Sequence, residues 1–383
     1  MVEEHMTAAL SQARRAVAPA PPVGHRPSHR RLLIHPSPVE PDDVAAVVVP
    51  TVRHPAAMRD SLILGRELGR PVVALCSGKW SSAREVCERA EALGAELIAV
   101  DLADVRLPAF ESDRLLSAHR HLSRTNDVSV KRNVGLAVAR MLRWRSVAFV
   151  DDDITDLGPE AIRTAGGLLR DHNVAALENV GYPDNSVVCH ARRAVGMRQD
   201  TFVGGGAMAV RVNPRTPFFP TIYNEDWFFL VGRRSVERVA LCGKVSQREY
   251  DPYLSPDRAR SQEFGDCLAE GLLALSDRER PALAADADYW KAFLADRIAM
   301  IDEILAQLGN RRQDDRHRRM VRALKVARGR CQIIDPAFCV RYLAAWQDDL
   351  DLWRRFLSGL PALDDPVDAF AHLGVSAVWH TAM

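Results

Sequence analysis

Short apolar runs alternate with amphipathic segments between residues 44 and 150, and this pattern predicts strands alternating with helices. Val-rich runs of four to six residues are typical of buried strands, and apolar residues at helical spacing mark the helices between them. Such an alternation favours a mainly parallel sheet with helices on both faces and ligands at the carboxyl ends of its strands. The predicted order is strand 44–49, helix 55–68, strand 71–76, helix 81–93, strand 96–100, helix 128–142 and strand 146–150.

The rest of the chain divides by pattern into three parts. Further strands are predicted at 174–180 and 202–212, and the second carries three glycines, which let a neighbour approach the backbone closely. Residues 1–43 are rich in proline and predict a flexible leader. We therefore expect a leader (1–43), an α/β domain (44–255) and a C-terminal region (256–383) with helices at 258–275, 284–308, 312–328 and 336–357.

Composition excludes several functional classes. The 51 basic residues nearly balance the 50 acidic ones, so the sequence predicts no nucleic-acid partner. No apolar run approaches the ~20 residues of a membrane helix, and the N-terminus lacks signal-peptide order, so we expect a cytoplasmic protein without a transmembrane segment. The seven cysteines form no C-x-x-C pair, which predicts reduced, mostly buried thiols.

The strongest chemical signal is the acidic triplet Asp151-Asp152-Asp153, which directly follows the predicted strand 146–150. Three adjacent carboxylates repel one another unless a cation lies among them. Mg²⁺ and Mn²⁺ are bound by one or two carboxylates together with substrate phosphate oxygens, and alternate residues of an extended turn can face one site. The triplet therefore predicts a metal site through Asp151 and Asp153, with an exposed acidic turn as the alternative.

A second acidic pair, Glu225-Asp226, begins a predicted amphipathic helix after Asn224. A carboxylate within hydrogen-bond reach of a reacting hydroxyl is a suitable general base. Acidic residues also stabilise the first turn of any helix, so an N-cap explains Asn224 and Glu225 as well. The residues by themselves do not decide between a general base and a helix N-cap.

A basic turn, Lys131-Arg132-Asn133, begins the helix that precedes the acidic strand. Cations beside backbone donors can hold phosphate or the edge of a ribose. A solvated basic turn is the alternative, and the motif is weak by itself. His119 and His121 are two residues apart, so we expect them on the surface rather than as a metal pair.

Taken in order, these motifs resemble the GT-A class of glycosyltransferases, especially the inverting family 2. The segment 47–51 resembles its first strand, 132–135 its R-N-x-G helix, and 149–153 its strand with the D-x-D metal motif. The segment 204–211 resembles the glycine-rich strand on the acceptor side, and 225–226 the E-D motif that bears the base. The resemblance covers residues 44–255 and implies the GT-A fold, with a Rossmann-like, mainly parallel sheet.

The resemblance also implies roles for individual residues. A nucleotide-diphosphate sugar would be the donor and Mn²⁺ or Mg²⁺ the cofactor, bound by Asp153 with Asp151. Asp226, with Glu225 beside it, would deprotonate a hydroxyl of an acceptor that the sequence does not identify. The residues implied for donor binding are Thr51, Arg132, Asn133, Asp151, Asp152 and Gly205.

Two departures from the family pattern stand out. The segment 76–79 (Cys-Ser-Gly-Lys) lacks the acidic residues that usually bind the nucleobase of the donor in this family. The segment 245–263 lacks the histidine that often completes the metal site, where Asp251 or water could substitute. The Q-x-x-R-W motif of processive synthases is absent, which favours transfer of a single sugar. The alternatives are a GT-A-fold binding protein without catalysis and a sugar-nucleotide pyrophosphorylase, whose glycine-rich loop is missing at 50–55. The pattern leaves open whether the protein forms a homodimer.

Overall fold

The computed structural model describes residues 24–122, 126–183, 185–231, 239–276, 285–309 and 314–381. Over these ranges ten strands form one mixed sheet. The strands are β1 (Leu33–Ile34), β2 (Val47–Thr51), β3 (Val72–Cys76), β4 (Leu97–Asp101), β5 (Ser146–Val150), β6 (Ile154–Thr155), β7 (Val174–Asn179), β8 (Ala207–Arg211), β9 (Val239–Gln247) and β10 (Ala377–His380).

Twelve α-helices lie in the described ranges, and none of them is both long and apolar enough to span a membrane. Short 3₁₀ turns precede β1 and the first helix, at Arg30–Leu32 and Pro55–Met58. The helices are α1 (Arg59–Leu68), α2 (Ala83–Leu93), α3 (Glu111–Ala118), α4 (Val128–Met141), α5 (Pro159–Leu168), α6 (Val187–Ala194), α7 (Glu225–Leu230), α8 (Pro256–Ser276), α9 (Ala287–Gly309), α10 (Asp315–Ile333), α11 (Pro336–Gly359) and α12 (Pro366–His372).

The sheet is mainly parallel, which confirms the prediction. Its order is β1-β9-β7-β8-β5-β2-β3-β4-β10, with β6 paired to β9 beside this path. The pairs β2–β3, β3–β4, β2–β5, β7–β9 and β1–β9 are parallel. Strand β8 runs antiparallel to both β5 and β7, and β10 runs antiparallel to β4. The reversal at β8 places Ala207 opposite Val150, so the chain before β8 meets the chain after β5.

The central strands are apolar throughout because both faces of the sheet are covered. Every residue of β2 and β3 is buried. Along β2 the side chains alternate between two hydrophobic clusters, with Val48 in one and Val47 and Val49 in the other. Helix α4 is likewise buried on all sides, although its spacing predicts a single apolar stripe, and even Lys131 and Arg132 are covered.

Two segments differ from the sequence prediction in secondary structure. Gly204, Gly205 and Gly206 precede β8 instead of lying within it. In the C-terminal region, the regular elements of the described residues are helices except for β10, which returns to the sheet and pairs with β4. Pairing with a strand almost 300 residues away leaves no local signal, so periodicity alone misses it. The division at residue 256 stays a prediction.

The described part of the predicted leader is packed against the domain. Strand β1 pairs with β9, and the amide of Asp42 donates to the carbonyl of Arg163 at 3.0 Å. The prolines of this segment are compatible with an extended chain at the edge of the sheet, because a proline without an N–H removes few of the backbone hydrogen bonds formed there. Residues 24–43 therefore contact the domain at these points, residues 1–23 lie outside the described residues, and the flexible leader stays a prediction.

Close packing of this segment on α5 gives a test. A Cβ at Gly166 would overlap with the backbone carbonyl of Asp42, whereas one at Gly329 in α10 would meet no atom within 4 Å. We expect Gly166→Ala to lower the free energy of unfolding by about 1–3 kcal/mol through overpacking. Gly329→Ala is the control and should raise it by about 0.5–1 kcal/mol, because alanine favours a helix interior. Urea denaturation measures both, and a stabilising Gly166→Ala would contradict the packing.

Candidate functional site

The acidic triplet lies where two parallel strands end side by side. Thr51 is the last residue of β2, and Asp151 follows β5 directly. The hydroxyl of Thr51 donates to Oδ2 of Asp152 at 2.6 Å. Asp152 and Asp153 are buried and Asp151 is partly exposed, so the triplet is largely covered, unlike the exposed turn that the sequence left as an alternative.

A buried guanidinium connects this edge to the second acidic pair. Arg132 of α4 donates from Nη2 to Oδ1 of Asp151 and from Nη1 to Oε1 of Glu225, each at 2.9 Å. Burial lowers the pKa of Arg132, but attraction to the two carboxylates outweighs it and raises the pKa above its usual value. Three segments that are distant in sequence therefore meet at one cation.

Gly205 allows this arrangement. A Cβ at position 205 would overlap with the guanidinium of Arg132, so any larger residue would push the cation aside. The amide of Asp151 donates to the carbonyl of Gly206 at 2.8 Å, which fixes the glycine segment beside the triplet. The close approach that the glycines predict is thus made by a side chain of the protein.

A second arginine neutralises the other two acids of the triplet. Arg53 pairs with Asp152 and, from Nη2, with Oδ2 of Asp153 at 2.9 Å. Its side chain is 49% exposed, whereas that of Arg132 is 3% exposed. Arg53 is not among the residues predicted from the sequence, although a cation two residues beyond β2 lies at the same edge as the acids. Arg53 and Arg132 therefore both reduce the repulsion within the triplet.

The triplet also contacts Gln247, and its first residue, Asp151, has a shifted pKa. Gln247, at the end of β9, donates to Oδ2 of Asp153 at 3.3 Å. Burial raises the pKa of Asp151 even though Arg132 lowers it, and the nearby charge of Asp153 adds to the rise. Asp251, the substitute metal ligand suggested by the sequence, pairs instead with Arg319 at 3.0 Å.

Asp226 is held by backbone donors at the start of α7. Its Oδ2 accepts from the amide of Gly205 at 2.6 Å, and its Oδ1 from the amide of Trp227 at 2.9 Å. Burial, followed by the adjacent Glu225, raises the pKa of Asp226 to about 6, while Arg132 and the two amides act in the opposite direction. This carboxylate is more basic than an ordinary aspartate and is mostly ionised at neutral pH.

Asn224 does not act as the N-cap that the sequence offered as an alternative. It adopts the left-handed conformation, with φ of 61°, and its side chain makes no cap hydrogen bond. Its amide donates instead to Oδ1 of Asp266 in α8 at 3.0 Å, and Asp266 also pairs with the buried Arg297. A Cβ at Gly265 would overlap with the backbone of Tyr223. Helix α8 therefore supports the turn that presents Asp226.

The predicted residues divide into those that line a cavity and those that do not. Arg132, Asp151, Glu225 and Asp226 line one cavity of about 200 Å³. Its wall also includes Asp266, Glu270, Trp227, Phe202, Asn185 and Gln247. Thr51, Asn133, Asp152, Asp153 and Gly205 are outside this lining. The cavity joins the edge of the triplet to the second acidic pair, and most of its charged groups are carboxylates.

Asn133 has a structural contact in this arrangement. Its side-chain amide donates to the carbonyl of Phe219 and accepts from the amide of the same residue, both at 2.8 Å. These two bonds tie α4 to the chain before α7. Its role in donor binding stays a prediction.

Two solved structures align distantly with this chain. No protein-family model and no curated protein matches the chain. A mannosyltransferase, PcManGT from Pyrobaculum calidifontis, solved in complex with GDP-Man and Mn²⁺, aligns over 85% of this chain and 92% of its own, with 16% identity and a TM-score of 0.39. A197 from STIV aligns over 56% of this chain and 90% of its own, with 14% identity and a TM-score of 0.29. At these scores neither similarity supports a conclusion about fold or function.

The bridge made by Arg132 predicts a pH-dependent loss of stability. In Arg132→Gln, the buried Glu225 and the partly buried Asp151 lose their cation, which should cost about 3–5 kcal/mol of unfolding free energy at neutral pH. The folded variant then binds protons more tightly than its unfolded chain, so the loss should be larger at about pH 8 than at about pH 5.

The control is Arg84→Gln, which breaks an exposed pair with Glu88 and should change stability by less than about 0.5 kcal/mol. Urea denaturation at the two pH values measures each variant. A loss of equal size at both would show that the two carboxylates do not depend on Arg132.

Proposed function

We propose that the protein is a glycosyltransferase of GT-A, family 2 type that moves one sugar from a nucleotide-diphosphate donor to an acceptor hydroxyl with inversion. One observation carries the proposal: Asp151, which belongs to an acidic edge suited to a metal and a diphosphate, lines the same cavity as Asp226, a carboxylate with a raised pKa. Arg132 joins the two halves. Donor activation and proton removal are the two tasks that such a transfer requires.

The donor half is formed by the ends of β2 and β5. Carboxylates of Asp153 and Asp151 would hold Mn²⁺ or Mg²⁺, a donor set that hard divalent ions prefer. The ion would supply charge stabilisation for the departing diphosphate. Arg53, now on Asp153, is half exposed and can turn to the phosphates, whereas the buried Arg132 keeps Asp151 in place. Thr51 orients Asp152 at the same edge.

The acceptor half is formed by α7 and the glycine segment. Asp226 takes the proton from the acceptor hydroxyl as the oxygen attacks the anomeric carbon, and the bond from that carbon to the diphosphate breaks on the opposite side. The amides of Gly205 and Trp227 fix the direction of the carboxylate. A single in-line displacement of this kind inverts the anomeric configuration.

A nucleotide-binding protein without transfer activity is the second candidate. It is favoured by one observation, the pairing of all three acids of the triplet with Arg53 and Arg132. Incubation with Mn²⁺ and a panel of UDP-, GDP- and dTDP-sugars separates the two. A transferase should release nucleoside diphosphate slowly by hydrolysis, and binding without release at any donor would favour the second candidate.

The raised pKa of Asp226 predicts how activity depends on pH. Below a pKa of about 6 the carboxyl is protonated and cannot accept a proton, so kcat/KM should fall as the pH falls through about 6. Asp226→Asn should lower kcat by about 10²–10⁴-fold and leave donor binding intact. Asp257→Asn, on the exposed first turn of α8, is the control and should behave as wild type. An unchanged kcat in Asp226→Asn would show that Asp226 is not the general base.

Replacing Arg53 should change the affinity for Mn²⁺ alone and the affinity for nucleoside diphosphate in opposite directions. Without its guanidinium, Asp153 is free of a competing cation, so Arg53→Gln should bind Mn²⁺ alone about 3–10-fold more tightly. The same variant loses a phosphate partner and should bind nucleoside diphosphate with Mn²⁺ more weakly by a similar factor of about 3–10. Titration calorimetry measures both, with Arg59→Gln, whose arginine is exposed and pairs with Asp60, as the control. Two unchanged affinities would exclude this role.

A further inference from the structure

Three groups of side chains in the described residues place metal-ligating atoms within 4.8 Å of one another. Two of these groups are buried and face the guanidinium of Arg297. Its Nη1 lies 3.2 Å from Nδ1 of His25 in one group, and its Nε donates to Oε1 of Glu263 at 2.8 Å in the other. A fixed cation at these ligand atoms opposes a second cation, so neither group is suited to a metal.

The third group consists of Cys87, Glu91 and His380 and differs from the other two in its surroundings. Within the part of the chain that the structure describes, no lysine or arginine pairs with any of the three side chains. The charged groups that act on Cys87 are the carboxylates of Glu91 and Glu88. The group is also half exposed, so an ion can reach it from solvent.

The backbone sets the geometry of this group. Cys87 and Glu91 are four residues apart on α2 and therefore lie on one face of the helix. His380 ends β10, which pairs with β4 and packs against α2. Nδ1 of His380 lies 3.7 Å from Oε1 of Glu91. A tetrahedral ion with bonds of about 2.0–2.3 Å holds its ligands roughly 3.3–3.8 Å apart, so this pair already has suitable spacing.

We propose that Cys87, Glu91 and His380 form a Zn²⁺ site that fastens strand β10 to helix α2. Sulfur, nitrogen and oxygen ligands together suit Zn²⁺, and water would complete the tetrahedron. Binding replaces the thiol proton of Cys87, which is released to solvent as the sulfur–metal bond forms. The site is independent of the proposed function.

The edge strand gives the site a physical role. Strand β10 has four residues, and its Val378 and Trp379 are 44% and 41% exposed, so apolar burial holds it weakly. It covers the edge of β4, which would otherwise present unpaired backbone groups. An ion bound to the last residue of β10 would add a covalent-strength link between this strand and α2.

Thiol labelling tests the proposal in the full chain. All seven cysteines lie in the described residues, and Cys87 is partly exposed while the other six are buried. A thiol reagent should therefore react first with Cys87 in the native, chelator-treated protein. Zn²⁺ should slow this reaction by at least about tenfold, because the thiolate becomes a ligand.

Variants separate ligation from charge attraction. His380→Gln and Glu91→Gln should each lose most of the protection, whereas Glu88→Gln removes a charge near Cys87 but no ligand and should keep it. Co²⁺ should give a thiolate charge-transfer band in wild type and none in Cys87→Ser. Labelling that Zn²⁺ leaves unchanged, or protection that survives in His380→Gln, would overturn the site.

Discussion

The structure depends on one buried cation, the guanidinium of Arg132. It lies between Asp151, at the end of β5, and Glu225, at the start of α7. Buried carboxylates are costly unless a cation or hydrogen-bond donors compensate them, and Arg132 does so for the buried Glu225 and the partly buried Asp151. Gly205 leaves room for it. A single ion-pair network thereby sets the spacing between the end of β5 and the start of α7.

The second constraint acts on Asp226 through the backbone. Two amides fix its carboxylate, and the left-handed Asn224 before it is held by Asp266 of α8. Glu225 and Asp226 are adjacent but have different partners, since Glu225 pairs with Arg132 while Asp226 accepts from the amides of Gly205 and Trp227. Burial and the charge of Glu225 raise the pKa of Asp226 against the opposing effects of Arg132 and the two amides. The helical C-terminal region thus takes part in shaping the site through α8.

Much of this arrangement is predictable from local pattern. The strand 146–150 and the position of the acids after it follow from apolar periodicity, and parallel neighbours bring Thr51 to the same edge. The partners of the acids are not predictable in this way. Arg132 is 93 residues from Glu225, and Arg53 is 100 residues from Asp153, so their pairing depends on sheet order and on the reversal of β8. The packing of residues 24–43 depends on β9 in the same manner.

A crystal of the protein soaked with Mn²⁺ and a nucleoside diphosphate shows directly whether the acidic edge binds the donor. We expect the ion on Asp153 and Asp151, the diphosphate beside it with Arg53 turned to the phosphates, and the cavity at Asp226 open for an acceptor. A nucleotide bound elsewhere, or Arg53 still on Asp153 with no ion at the triplet, would contradict the proposed donor site.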